Sequence, residues 1–124
     1  MARLARLASV LATLTITSAL LASCGNSGAI ADVRHSCVYV KRALKIELQS
    51  EQSNITSSRR RTLQANALSE LLKATPSAAA ATSIDGSWNP LMTTINEAER
   101  VPMPHLVDSL TRLCKVADSP NPYL

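Results

Sequence analysis

The chain has 124 residues, which bounds it to one small domain. It contains no Phe, two Tyr and one Trp, and Ala and Leu dominate, a composition that favours helices over sheet. The formal charge is +4, but Arg3 and Arg6 lie in a targeting segment; without them Lys+Arg falls from 13 to 11 against 9 acidic residues. That balance is too even to point to a nucleic-acid partner.

Residues 1–23 begin with Arg3 and Arg6, continue through an uncharged, mostly apolar run from Leu7 to Leu20, and end in small residues. This is the order of a secretory signal peptide, whose basic end stays in the cytoplasm. The run falls short of the ~20 apolar residues a membrane span needs, and Thr13, Thr15, Thr17 and Ser18 dilute it. It also lacks the polar face of a packed surface helix.

Leu21-Ala22-Ser23-Cys24 resembles the lipobox of bacterial lipoproteins. The resemblance implies cleavage between Ser23 and Cys24, diacylglycerol on the Cys24 thiol, and further fatty acylation, such as palmitate, at the new amino terminus. Each buried methylene adds about 0.8 kcal/mol, so two or three chains hold a protein stably at the extracytoplasmic face of the cell membrane. A competing pattern, Ala29-Ile30-Ala31, suits ordinary signal peptidase; a cut before Asp32 would release a soluble secreted protein.

Three cysteines are an odd count for a secreted chain. Lipidation of Cys24 leaves Cys37 and Cys114, an even pair in an oxidising compartment, and predicts a disulfide between them. The long loop it would close, from Cys37 to Cys114, is worth about 4.5 kcal/mol in the chain-entropy account. His35 and His105 stand near these cysteines, but there is no C-x-x-C and no H-x-x-x-H. No metal site is expected.

Residues 24–31 read as a flexible tether and residues 32–117 as a helical domain. Asp32 is the expected N-cap of a first helix with Val33, Cys37, Val40, Leu44 and Leu48 on its apolar stripe. In that helix Glu47 and Glu51 come late, where carboxylates suit the dipole poorly. After a loop over residues 52–58, Ser57 or Ser58 is expected to cap a second helix from Arg59 to about Ala74, with Leu63, Ala67, Leu68, Leu71 and Leu72 on its apolar face. Arg59, Arg60 and Arg61, the densest charge in the chain, read as a solvated first turn or as a contact with anionic headgroups, wall polymer or a partner.

Thr75-Pro76 is expected to open a short alanine-rich helix wedged in the core and ended by Asp85-Gly86. Ser87 is the expected cap of the next helix, with Trp88, Leu91, Met92 and Ile95 facing inward. Trp88 reads first as a core anchor and second, with Met92 and Tyr39, as the lining of a small-ligand pocket. Two prolines, Pro102 and Pro104, separate that helix from a last one with Leu106, Val107, Leu110, Leu113 and Cys114 on one stripe. Residues 118–124 read as an irregular tail. The sum is an all-α, up-and-down bundle of about four to five helices stapled by one disulfide.

The stretch from Ser87 to Cys114, with Trp88, Leu91, Thr93, Thr94, Arg100, Val101, Pro102 and Cys114, resembles small, functionally unassigned lipoproteins of high-GC Gram-positive bacteria. The resemblance implies a compartment and a helical fold, and no activity. His105, Asp108 and Ser109 lie on one helix face, but a triad there would lack an oxyanion hole and a water-excluding cleft. Only Gly25, Gly28 and Gly86 are available for a phosphate loop, so no cofactor is expected. The expected role is non-enzymatic: an envelope lipoprotein that binds a protein or wall polymer.

Overall fold

A computed structural model describes residues 27–122. The signal segment, Ser23 and Cys24 lie outside the described residues. Helix α1 runs Ser27–Ser50, α2 Ser57–Leu72, α3 Thr75–Ile84, α4 Asn89–Glu97 and α5 Val107–Ala117. Single 3₁₀ turns at Gly86–Trp88 and Met103–His105 precede α4 and α5. Among the described residues there is no strand.

Helix α1 is the spine, about 36 Å long at 1.5 Å per residue. Arg60 at the start of α2 donates to Ser50 O at the end of α1 (3.0 Å), and the buried Ser36 hydroxyl donates to Ala74 O (3.2 Å). Helix α2 therefore runs antiparallel to α1. The chain then pauses for two residues and continues in the same direction as α3, with Ser77 against His35 (3.1 Å) and Ile84 beside Gly28. Proline at position 76 forces the pause, because it has no N–H to give and is tolerated only in a first turn. Helix α4 returns to the Glu47 end of α1. Helix α5 runs back beside α1, where Cys114 meets Cys37 and Arg34 donates to Ala117 O (2.9 Å). The result is an up-and-down bundle of four columns, the second made of α2 and α3 in succession.

The disulfide Cys37–Cys114 is formed, with Cα atoms 5.5 Å apart. Ala78 and Ala81 are buried, so α3 sits as a close-packed wedge against α1. Trp88, Leu91, Ile95, Leu110 and Leu113 fill the centre.

Several boundaries differ from expectation. Residues 27–31 are the first turns of α1, not a tether, and Ala29 is fully buried. They are helical because α3 lies alongside and gives them a partner surface. Asp32 is thus inside the helix and does not cap it. Thr56, one residue before the expected serines, caps α2 by accepting from Arg59 N (3.1 Å). Neither Thr75 nor Ser87 caps a helix; the side chain of Asp85 instead accepts from Ser87 N (3.0 Å).

The apolar stripe of α1 also departs from its expected course. Leu48 is 68 % exposed, and Glu47 and Ser50 take the inward positions. Helix α5 explains this. With Cys114 opposite Cys37, its seven preceding residues reach back along α1 only to about Leu44. Leu48 stands beyond that reach, while the flank carrying Ala43, Glu47 and Ser50 faces inward against α2 and the α4–α5 segment.

Candidate functional site

Glu47 is 1 % exposed. Among the described residues neither of its carboxylate oxygens has a hydrogen-bond partner, and the buried Ser50 hydroxyl, one turn later on the same face, has none either. Three orphaned polar atoms thus stand together on the inward face of the last turns of α1. An unpaired buried polar group costs about 1–3 kcal/mol, and an ionised one more. Burial pushes the Glu47 carboxyl above its ordinary value near 4.5; the Ser50 hydroxyl, close by but outside hydrogen-bond geometry, pulls it partly back, and Glu51 adds repulsion that raises it again.

Glu47 lines a groove of about 390 Å³ between the end of α1, α2 and the segment joining α4 to α5. Leu68 and Ala65 from α2 and Val101, Pro102, Met103 and Pro104 from the joining segment make its walls mostly apolar. The two prolines hold that segment in an extended path and then a 3₁₀ turn, so this wall is stiff. Gln64, Glu99 and Arg100 stand at the groove as polar groups. Arg100 is paired with Glu97, which leaves Glu99, like Glu47, without an ion-pair partner among the described residues.

The residues singled out from sequence lie elsewhere. Trp88 is 1 % exposed within the central core. Met92 packs half-buried against that core. Tyr39 lies on α1 beside His35, with ring centroids 5.5 Å apart, and beneath the Arg42 guanidinium at 5.6 Å. Neither the Glu47 groove nor a second one near the disulfide, of about 490 Å³, is lined by Trp88, Met92 or Tyr39.

The three arginines part company. Arg60 closes the α1–α2 loop by donating to Ser50 O and, at 3.4 Å, to Gln52 O. Arg59 and Arg61 are exposed, and among the described residues their side chains make no hydrogen bond or ion pair. His105 and Asp108 are exposed, and no hydrogen bond joins them to each other or to Ser109. His35 Nδ1 and Ser77 Oγ are in contact at an exposed position, with no further hydrogen-bonded partner on the imidazole among the described residues. Among the described residues no group of three His, Cys, Asp or Glu side chains could hold a metal ion. No described helix is long and apolar enough to cross a membrane.

No protein-family model, curated protein or solved structure matches the chain.

Proposed function

We propose that the protein is a lipid-anchored envelope lipoprotein, attached through Cys24, whose helical domain serves a non-enzymatic binding role. The supporting sequence is Leu21-Ala22-Ser23-Cys24 behind a basic and then apolar segment. The observation that weighs most is the burial of Ala29 in the first turns of α1. A mature chain beginning at Cys24 retains the whole of α1. A cut before Asp32 would strip Ala29 and the first turn from under α3, so the secreted alternative costs the fold a piece of its core.

On this reading the domain stands close to the bilayer. Only Gly25 and Asn26 separate Cys24 from Ser27, and the three residue steps span at most about 11 Å. The end of the bundle carrying Gly28 and the half-exposed Ile84 lies nearest the lipid. Glu47 lies about 30 Å further along the α1 axis. Arg59 and Arg61 sit at that distal end too, so they suit a wall polymer or partner protein rather than lipid headgroups.

Mass spectrometry of the mature N-terminus tests this. An N-terminal Cys24 carrying two or three acyl chains is expected, together with uncleaved precursor in Cys24→Ser. An N-terminal Asp32 without lipid would overturn the anchoring.

A further inference from the structure

We propose that the groove over Glu47 and Ser50 receives a lysine side chain of a partner polypeptide, its ammonium held by the two carboxylate oxygens and the hydroxyl. This names the partner chemistry for the binding role above and rests on that reading for its cellular setting alone.

The donor count carries the argument. The buried face holds three orphaned atoms, Glu47 Oε1, Glu47 Oε2 and Ser50 Oγ. A lysine ammonium has three N–H donors and no acceptor, and its compact charge suits a closed corner better than the planar guanidinium of arginine. The four methylenes of its stem want apolar surface, which Leu68, Val101 and Met103 supply along the groove. The charge is complementary as well: Arg100 is already paired with Glu97, so Glu47 and Glu99 set the sign of the groove.

Other occupants fit less well. An anion or fatty acid would meet the carboxylates, and a neutral apolar group would leave three polar atoms buried without partners. A divalent cation would find too few carboxylates. The Glu47 oxygens are covered by protein, so entry requires a wall side chain to turn aside. Met103, unbranched and in that wall, is built for such a movement.

The test is an amide NMR titration of the full chain in detergent micelles. The probes are N-acetyl-lysine N-methylamide, its norleucine counterpart, which lacks the ammonium, and free 1-aminopentane. Saturable shifts at Leu68, Val101 and Met103 are expected with the lysine probe. Binding should weaken at least about ten-fold with norleucine or in Glu47→Gln, and by a smaller factor in Ser50→Ala. Equal binding of lysine and norleucine, an unaffected Glu47→Gln variant, or no saturable shift overturns the proposal. Tighter binding of 1-aminopentane than of the capped lysine overturns the polypeptide source. The norleucine comparison uses the unaltered chain, so it decides the matter even if a variant folds poorly. None of these outcomes bears on the N-terminal mass that tests anchoring.

Discussion

Cys37, in the third turn of α1, is bonded to Cys114, in the last turn of α5, 77 positions later in the chain. The bridge lies within an interface that polar contacts already define. Arg34, one turn before Cys37, donates to Ala117 O and Ser119 O, and Lys41, one turn after it, pairs with Asp118. The double variant Cys37→Ala/Cys114→Ala should therefore keep its helical content but lose about 2–4 kcal/mol of stability. Urea unfolding with and without reductant measures this. If reductant leaves the midpoint of the unaltered protein in place, the bridge contributes nothing to the fold.

The arginine cluster makes a contrast within three adjacent residues. Arg60 holds two carbonyls where α1 ends and the loop begins, so Arg60→Ala should cost about 1–2 kcal/mol, towards the low end because the site is partly exposed. Arg59 and Arg61 are exposed at a helix N-terminus, where cations oppose the dipole. Their replacement by Ala should be neutral or stabilise by a few tenths of a kcal/mol. Thermal unfolding of the three single variants separates the cases, and equal effects at all three would contradict the assignment.

The same residues show what could be read from sequence. Helix number, the α5 stripe and the disulfide follow from heptad-like spacing and cysteine parity, which are local or global counts. The division of labour among Arg59, Arg60 and Arg61 depends on where the α1 terminus lies in space, which spacing does not encode. Glu47 was hidden for a related reason. The inward positions of α1 run through Ser36, Ala43, Glu47 and Ser50, small or polar residues that carry no hydrophobic signal, while Leu48 does and is left outside by the shortness of α5. The caps at Thr56 and Asp85 lie only a residue or two from the expected ones, because several Ser and Thr neighbours offer the same chemistry.

Core packing gives a graded pair of predictions. Ala81 is fully buried and Ala79, on the same helix, is exposed. Ala81→Leu should destabilise by about 1–3 kcal/mol because α3 and α1 must separate, whereas Ala79→Leu should stay within about 0.5 kcal/mol. Trp88→Ala should cost about 3–5 kcal/mol as the central cavity it leaves stays open. Trp88 is the sole tryptophan, so its fluorescence reports the Ala81→Leu and Ala79→Leu variants directly, and urea unfolding followed by far-ultraviolet circular dichroism measures Trp88→Ala. The fluorescence should be blue-shifted in the folded protein and unmoved by the lysine probe.

Glu47 and Glu70 should bend the pH dependence of stability in opposite directions. Burial holds Glu47 above its ordinary value, so the folded state keeps that proton after the unfolded chain has lost it. Stability from this group is fullest below about pH 4.5 and declines as pH rises through the folded value. The charged groups near it are Glu51, Glu99 and the paired Arg100. Glu70 is held below its ordinary value, first by the hydrogen bond from Lys73, against some burial, and then by the charges of Lys73 and Arg42; the Lys73 contact is 2.7 Å and that of Arg42 3.7 Å. Its contribution is present above about pH 4.5 and is lost as pH falls through the folded value. Urea unfolding in steps from about pH 3 to about pH 8 should therefore show Glu47→Gln gaining on the unaltered protein as pH rises, then running parallel to it. Glu70→Gln should match the unaltered protein in acid and fall behind above it. Side-chain carboxyl NMR titrations should place the two glutamates on opposite sides of the ordinary value. If both titrate together, Glu47 has water or a cation beside it that the fold alone does not supply.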